Sequence, residues 1–591
     1  MSSYLSELCR FYERMAANPA SGMPPRGMTA EQISFALVIA ADGALVRVED
    51  LRDGKGRPVR RFVPAAVKRT SGIAANFLWD NTGYALGVDG KGNAERAAKT
   101  FAAFRALHEK LLARCEGIQA RALLAFLDTW DPQRFAALEL RDALLDSNVV
   151  FRLDGENHFL HEDDALEALW LDAVDEGEEA TAAGVCLVTG RSGPIALVHP
   201  AIKGVTGAQS SGAALVSFNC PSFTSYGKEQ NANAPVSSDA ARAYTSALNH
   251  LLRREHRQAV RIGDTSIVFW ADRASPAETL FGRFFDFAPP SGAAPDGGEG
   301  AVQDADQIDR VRGILRALRD GCPLNEADRE LDAGARFYVL GLAPNAARLS
   351  VRFWLTATLE VLLRHVGRWY ENLAIERRFP DAEPEFPPLW QLLRELAAQG
   401  RSENVPPELG GQLARCLLSG GRFPENVFAA LLQRIHADKR VNYFRAALIK
   451  AYLCRNRQEE DDMETVNEKT RNVGYRLGRA FALLEKTQKD ALGKEINATL
   501  RERYIGAASA TPLLVFPGLL RLHHHHVTKA KKARGSAYEA MCGKCMGAIL
   551  GDVDDFPATL SLADQGRFML GYYHQMNALY QKKTDAAEAG E

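Results

Sequence analysis

The chain predicts an α+β protein, with a mixed α/β N-terminal region followed by an all-helical C-terminal bundle. Three observations carry this. Strand-like and helical patterns interleave up to about Leu355. From Thr356 onward apolar residues recur at spacings of three and four, divided by Pro380, Pro387, Pro406, Gly410 and Pro424. Between the two, Ala288–Ala305 (APPSGAAPDGGEGAVQDA) is rich in Pro, Gly and acid and has almost no large apolar residue. Such a segment cannot bury enough surface to order itself and reads as a linker or long loop. At 591 residues the chain is too long for a single core. The expected division is 1–287, a linker at 288–305, a mixed then helical region at 306–462, and a helical bundle at 463–591.

The elements follow in order. Residues 1–20 have an amphipathic helical pattern. Ile33–Ala40 and Ala44–Val48 are strand-like, and Ala41-Asp42-Gly43 between them signals a hairpin. Residues 93–150 are helical in period, beginning with AAKTFAAFRALHEKLLARC. Strands are expected at Val149–Leu153 and Gly184–Val188. A helix is expected over Asp239–Arg254, with Ser238 or Asp239 as its cap. Thr265–Trp270 reads as a buried strand, and Ala335–Gly341 and Leu349–Leu355 as two more.

Composition narrows the function. The net charge of −2 excludes a uniformly basic nucleic-acid binder, but not a locally basic groove. Nine scattered cysteines have no framework spacing and predict reduced thiols. The N-terminus lacks the pattern of a signal peptide, and no apolar run approaches the roughly 20 residues of a membrane span. A cytoplasmic protein is expected. GxxxxGK[ST], GxGxxG after a strand, HExxH and GxSxG are all missing. No cofactor and no metal site are expected. Cys542-Gly-Lys-Cys545 is a single CxxC on a helix-like stretch, and the four consecutive histidines from His523 point in different directions.

Three stretches stand out. Arg52–Arg69 holds Arg52, Lys55, Arg57, Arg60, Arg61, Lys68 and Arg69 against the single acid Asp53. This basic run reads either as phosphate contacts or as a solvated edge strand defended by charge. Lys529, Lys531 and Lys532 form a second basic patch, which reads either as a phosphate-backbone contact or as a solvated face. Ser217–Ser237 (SFNCPSFTSYGKEQNANAPVS) is dense in neutral hydrogen-bonding side chains, with only Lys228 and Glu229 charged. Amides and hydroxyls are poor general acids and bases, so this segment is built to hold a ligand or to brace itself. Phe77, Leu78 and Trp79 read as core.

The blocks KRTSGIAANFLWDNTGYALG (68–87), LVSFNCPSFTSYGKEQNANAPVS (215–237), AYTSALNHLL (243–252), GDTSIVFWA (263–271) and GLAPNAARLSVRFW (341–354) together resemble one family. It is the large subunit of the type I-C CRISPR-associated surveillance complex (Cascade), the Csd-type signature protein. The resemblance covers essentially the whole chain. It implies a non-catalytic subunit that recognises the protospacer-adjacent motif in double-stranded DNA. It also implies support of R-loop formation and recruitment of a helicase–nuclease. The partners implied are the guide crRNA, the target duplex, the backbone and handle-binding subunits, and a small subunit, with no membrane. Guide pairing carries most of the specificity in such systems, and the protein reads a short motif and backbone. The candidate motif readers are Lys68, Arg69, Ser71 and Asn76 from the first block, and Lys228, Gln230, Asn231 and Asn233 from the second. Each also reads as an amide, hydroxyl or cation that braces its own loop. Arg52, Lys55, Arg57, Arg60, Arg61, Lys529, Lys531 and Lys532 are candidate backbone contacts. In this family the small subunit is produced from within the large-subunit gene, which makes Met463 a candidate internal start. From Met463 on there are 18 basic and 14 acidic residues, which suits a bundle lying along DNA. The alternative function is a metal-dependent nuclease or hydrolase using the 217–237 loop. Near that loop only Glu229, Asp239 and His250 could serve it.

Overall fold

In the computed structural model, residues 3–67, 72–90, 92–179, 183–285, 301–457, 463–493 and 496–588 are described. They divide into two compact units, one of residues 1–202 and 216–250, the other of 203–215 and 251–591.

The first unit is built on a four-stranded sheet in the order Leu45–Asp50, Phe35–Ile39, Asn148–Leu153, Trp79–Asn81. All five residues of Phe35–Ile39 are buried, because both faces of this central strand are covered. Phe35, Leu37 and Ile39 point to a core shared with Phe104, Leu123, Phe126 and Phe151, while Ala36 points to the opposite face with Val63, Val150 and Phe159. The expected hairpin is present: Phe35 pairs with Asp50 and Ile39 with Leu45. Its turn requires glycine. Gly43 has φ 86°, and a Cβ there would lie 2.4 Å from the backbone nitrogen of Phe126. Phe35–Ile39 also runs parallel to Asn148–Leu153. A parallel pair needs a long crossover, and helices Ala94–Leu112 and Ile118–Thr129 lie within it. A second, two-stranded sheet joins Met28–Ile33 to Val59–Pro64, with Glu31 opposite Arg61.

The second unit holds an antiparallel sheet in the order Arg348–Thr358, Arg336–Asn345, Thr265–Ala271, Ala259–Ile262. The last two strands precede the segment 288–305 and the first two follow it. Residues 286–300 lie outside the described residues, and Ala301–Ala305, expected as linker, begin the helix Ala301–Arg319. The strands expected at 335–341 and 349–355 are each longer, because their edges pair with each other out to Asn345 and Arg348.

From Leu359 onward the described residues form no strand. Helix Val473–Leu492 sits at the centre of the last bundle, with every residue from Gly474 to Gln488 buried. It meets helix Leu562–Glu588 backbone to backbone at Gly474, Gly478 and Gly571. With 53% of residues helical and 14% in strands, the α+β class holds. Among the described residues no helix is long and apolar enough to cross a membrane.

Candidate nucleic-acid interface

In the first basic run the structure separates presented cations from those built into the fold. The turn at Asp53–Arg57 is closed by Asp53, whose Oδ1 accepts from the N–H of Lys55 (2.9 Å) and of Arg57 (2.8 Å). These backbone bonds, that to Arg57 foremost, hold the Asp53 carboxyl below its usual range. The side chains of Lys55 and Arg57 are exposed on this braced turn. Arg52 instead forms a two-pronged pair with Asp50, at 2.9 and 2.6 Å, and lies 4.8 Å over the ring of Phe35. Arg61 lies 4.7 Å over the ring of Phe159, with its Nε buried. Arg60 is exposed on the same strand.

Lys68, Arg69 and Ser71 lie outside the described residues. The next candidate, Asn76, is only 3% exposed, and its Oδ1 accepts from the Val67 N–H at 2.9 Å. Its own N–H donates to Asp80 Oδ2 at 2.9 Å, and Asp80 is also buried. Asn76 is therefore placed as a brace inside the loop. Phe77, Leu78 and Trp79 are core, as their pattern predicts. Phe77 stacks on both His108 and Trp170, at 5.4 Å each.

Leu78 has φ 61°, a strained conformation for a leucine. Its N–H donates to His108 Nε2 at 2.9 Å, while His108 Nδ1 lies 2.7 Å from the Phe104 carbonyl. That pair of bonds requires the neutral ring with the proton on Nδ1. Burial pushes the His108 pKa down to about 4. His108 was not legible as a site residue from sequence. Its partner is 30 residues away, and only its place on the buried face of a helix hints at it.

The 217–237 loop is a polar structure that holds itself. The Lys228 N–H donates to the Ser225 carbonyl at 3.0 Å, closing a turn whose central residues, Tyr226 (φ 52°) and Gly227 (φ 70°), are both left-handed. This is the primed turn geometry of tight hairpins. Asn233 locks it from behind. Its Oδ1 accepts from the Ser225 N–H (2.9 Å), and its Nδ2 donates to the carbonyls of Lys228 and Gln230 (2.9 Å each). Asn231 is 2% exposed and its Oδ1 has no partner among the described residues. Lys228 and Gln230 are exposed. The loop's far end is tied down by Leu187 N–H to Pro235 O (2.9 Å) and Ala196 N–H to Val236 O (3.0 Å). Of the four candidates here, two face solvent and two face inward. Tyr226 was not among the sequence candidates, although a bulky aromatic before Gly227 in a polar loop is a readable signal.

The second basic patch closes helix Pro512–Arg534. Lys531 pairs with Glu539 at 2.7 Å and Arg534 with Asp490 at 2.8 Å. His525, Lys529 and Lys532, at helical spacing, are exposed along one face. His523 is buried, and burial depresses its pKa to about 4. Met463 is buried in the core of the second unit. Among the described residues no group of three or more His, Cys, Asp or Glu side chains is placed to hold a metal ion.

The first unit thus presents Lys55 and Arg57 as exposed cations on a braced turn, and the chain continues into a long helical region. The sequence model of the family described as "CRISPR-associated protein (Cas_Csd1)" matches residues 8–580, and the chain belongs to that family. No curated protein matches the chain.

Proposed function

We propose that the chain is the non-catalytic large subunit of a type I-C CRISPR RNA-guided surveillance complex. In this reading it recognises the protospacer-adjacent motif in duplex DNA, supports R-loop formation and recruits a helicase–nuclease. It works in the cytoplasm beside a guide crRNA, backbone and handle-binding subunits and a small subunit. Family membership over nearly the whole chain carries the reading. The exposed Lys55, Arg57, Lys228 and Gln230 on braced turns support it, since cations position a protein on phosphates and amides read base edges. The state of the acids near the 217–237 loop also supports a binding role over hydrolysis. Asp239 pairs with Arg26 at 3.2 Å and Arg242 at 3.1 Å, and His250 is buried.

The test is binding of a guide-loaded complex to target duplexes with and without the motif, across a salt series. Loss of motif preference on removing this subunit is expected. Unchanged motif preference without it would overturn the reading, as would Mg²⁺-dependent DNA cleavage by the purified chain alone. The internal start belongs to the same proposal. Helices from Val473 to Glu588 pack chiefly around one central helix, and they share a hydrophobic core with residues 262–453. Met463→Leu, which keeps the buried volume, is expected to abolish a co-purifying band of the mass of residues 463–591. Persistence of that band would refute the start site.

A further inference from the structure

Tyr226 is 98% exposed, the most exposed large hydrophobic side chain among the described residues. Its backbone has φ 52°, a conformation that glycine and asparagine adopt readily and tyrosine rarely does. Strained positions persist only where the surroundings over-determine them. Here Asn233 supplies that restraint, with three hydrogen bonds to residues 225, 228 and 230 around the turn. The loop thus maintains an unfavourable backbone that places an aromatic ring in water.

What the ring meets follows from its neighbours. Thr224, Ser225, Lys228 and Gln230 are exposed beside it, and Glu229 is the single acid of the loop. A tyrosine that anchors a protein interface sits amid contacts that exclude water. At this tip the flanking side chains are a cation, hydroxyls and an amide, which match a phosphate and base edges, together with the one acid Glu229. The exposed aliphatics Leu187 and Leu197 adjoin the loop through backbone bonds, the Leu187 N–H to Pro235 O and the Asn231 N–H to Leu197 O, and Val185 and Val198 neighbour them in sequence.

We infer that Tyr226 is a stacking contact for an unpaired nucleobase of DNA, with Lys228 on the adjoining phosphate. A base inside a duplex has both faces covered, so the ring finds a partner only where the strands have parted or a base has left the stack. This inference rests on the DNA-binding reading proposed above and gives the loop a specific ligand within it.

The experiment compares the guide-loaded complex carrying wild-type chain, Tyr226→Phe, Tyr226→Leu or Tyr226→Ala. Two probes are used, a fully paired DNA duplex and the same duplex with a short unpaired bubble containing 2-aminopurine. Stacking predicts that Tyr226→Ala and Tyr226→Leu weaken bubble binding by roughly 5- to 150-fold, while Tyr226→Phe stays near wild type. Stacking also predicts that 2-aminopurine quenching is lost with Ala and Leu, and that the salt slope is unchanged because no charge is removed. Equal affinities and quenching for all four proteins, with wild type showing salt-dependent binding, overturn the stacking contact and leave the DNA-binding reading standing. Failure of wild type to bind either probe overturns both. If Tyr226→Ala releases another protein subunit while bubble binding is unchanged, the ring serves a protein interface and the inference is wrong.

Discussion

Gly478→Ala is the substitution whose cost the structure defines best. An added Cβ would lie 1.9 Å from the carbonyl oxygen of Phe568, 2.7 Å from its carbon and 3.0 Å from its Cα. All three are backbone atoms of the facing helix, so no side chain can swing aside. Carbon–oxygen contacts settle at about 3.3 Å or beyond, so the helices must part by more than 1 Å locally. The neighbouring glycines leave no slack, since a Cβ at Gly571 would lie 2.2 Å from Tyr475 O and one at Gly474 2.6 Å from Asp564 O. A gap of that size forfeits up to about half of the dispersion energy of each facing pair, here involving Phe481, Phe568 and Tyr572. Overpacking costs typically about 1–3 kcal/mol, and a backbone-to-backbone clash falls at the top of that range or above it. Alanine's better helix propensity offsets only about 1 kcal/mol. A net loss of about 2–3 kcal/mol is expected. Gly518→Ala is the control, because a Cβ there meets nothing within 4 Å, and it should stabilise by up to about 1 kcal/mol. Urea denaturation, with hydrogen exchange of peptides from 473–492, measures both. Gly478→Ala matching or exceeding wild type in midpoint and protection would refute the close-crossing argument.

Three further outcomes are expected. Asn233→Ala removes three hydrogen bonds at a partly exposed site, each worth at the low end of about 0.5–1.5 kcal/mol, so amide protection at 225–230 should collapse while the global unfolding midpoint barely moves; full protection in the variant would contradict the bracing role. His108 has a folded pKa of about 4 against 6.5 for the free side chain, so the unfolded chain binds the proton that the fold refuses. Stability should therefore fall as pH drops from about 6.5 toward 4, by up to about 1.4 kcal/mol per pH unit from this residue, and His108→Gln should flatten that part of the curve; identical pH profiles would be the adverse result. Lys55→Ala and Arg57→Ala should each reduce the salt slope of DNA binding by about 1, whereas Arg61→Ala should lower stability by losing its stack on Phe159; equal salt effects at all three positions would undo the distinction drawn between them.

Local pattern foretold most of the elements. The Phe35–Ile39 strand, the Asp42-Gly43 turn, the helix expected over Asp239–Arg254 and found at Ser238–Leu251, and the helical C-terminal half follow from periodicity and turn chemistry, which are properties of neighbouring residues. Strand partners do not follow. The pairing of Met28–Ile33 with Val59–Pro64, and the parallel match of Phe35 with Val149, join residues far apart in sequence. The start of the helix at Ala301 was also hidden, because Ala301–Ala305 follow a Gly- and Pro-rich stretch and share its lack of large apolar residues.

The candidate interface divides in the same way. From residue types alone, the 217–237 loop reads as a holding surface without acid–base chemistry and Arg52–Arg69 as a basic run, while five blocks resemble one family. Which polar side chains are offered outward was decided by tertiary structure. Asn76 and Asn233 turn inward because their amides satisfy backbone groups that the turns leave unpaired, and Arg52 and Arg61 are taken up by Asp50 and the ring of Phe159. Lys55, Arg57, Tyr226, Lys228 and Gln230 stay in water because the backbone beneath them is already braced.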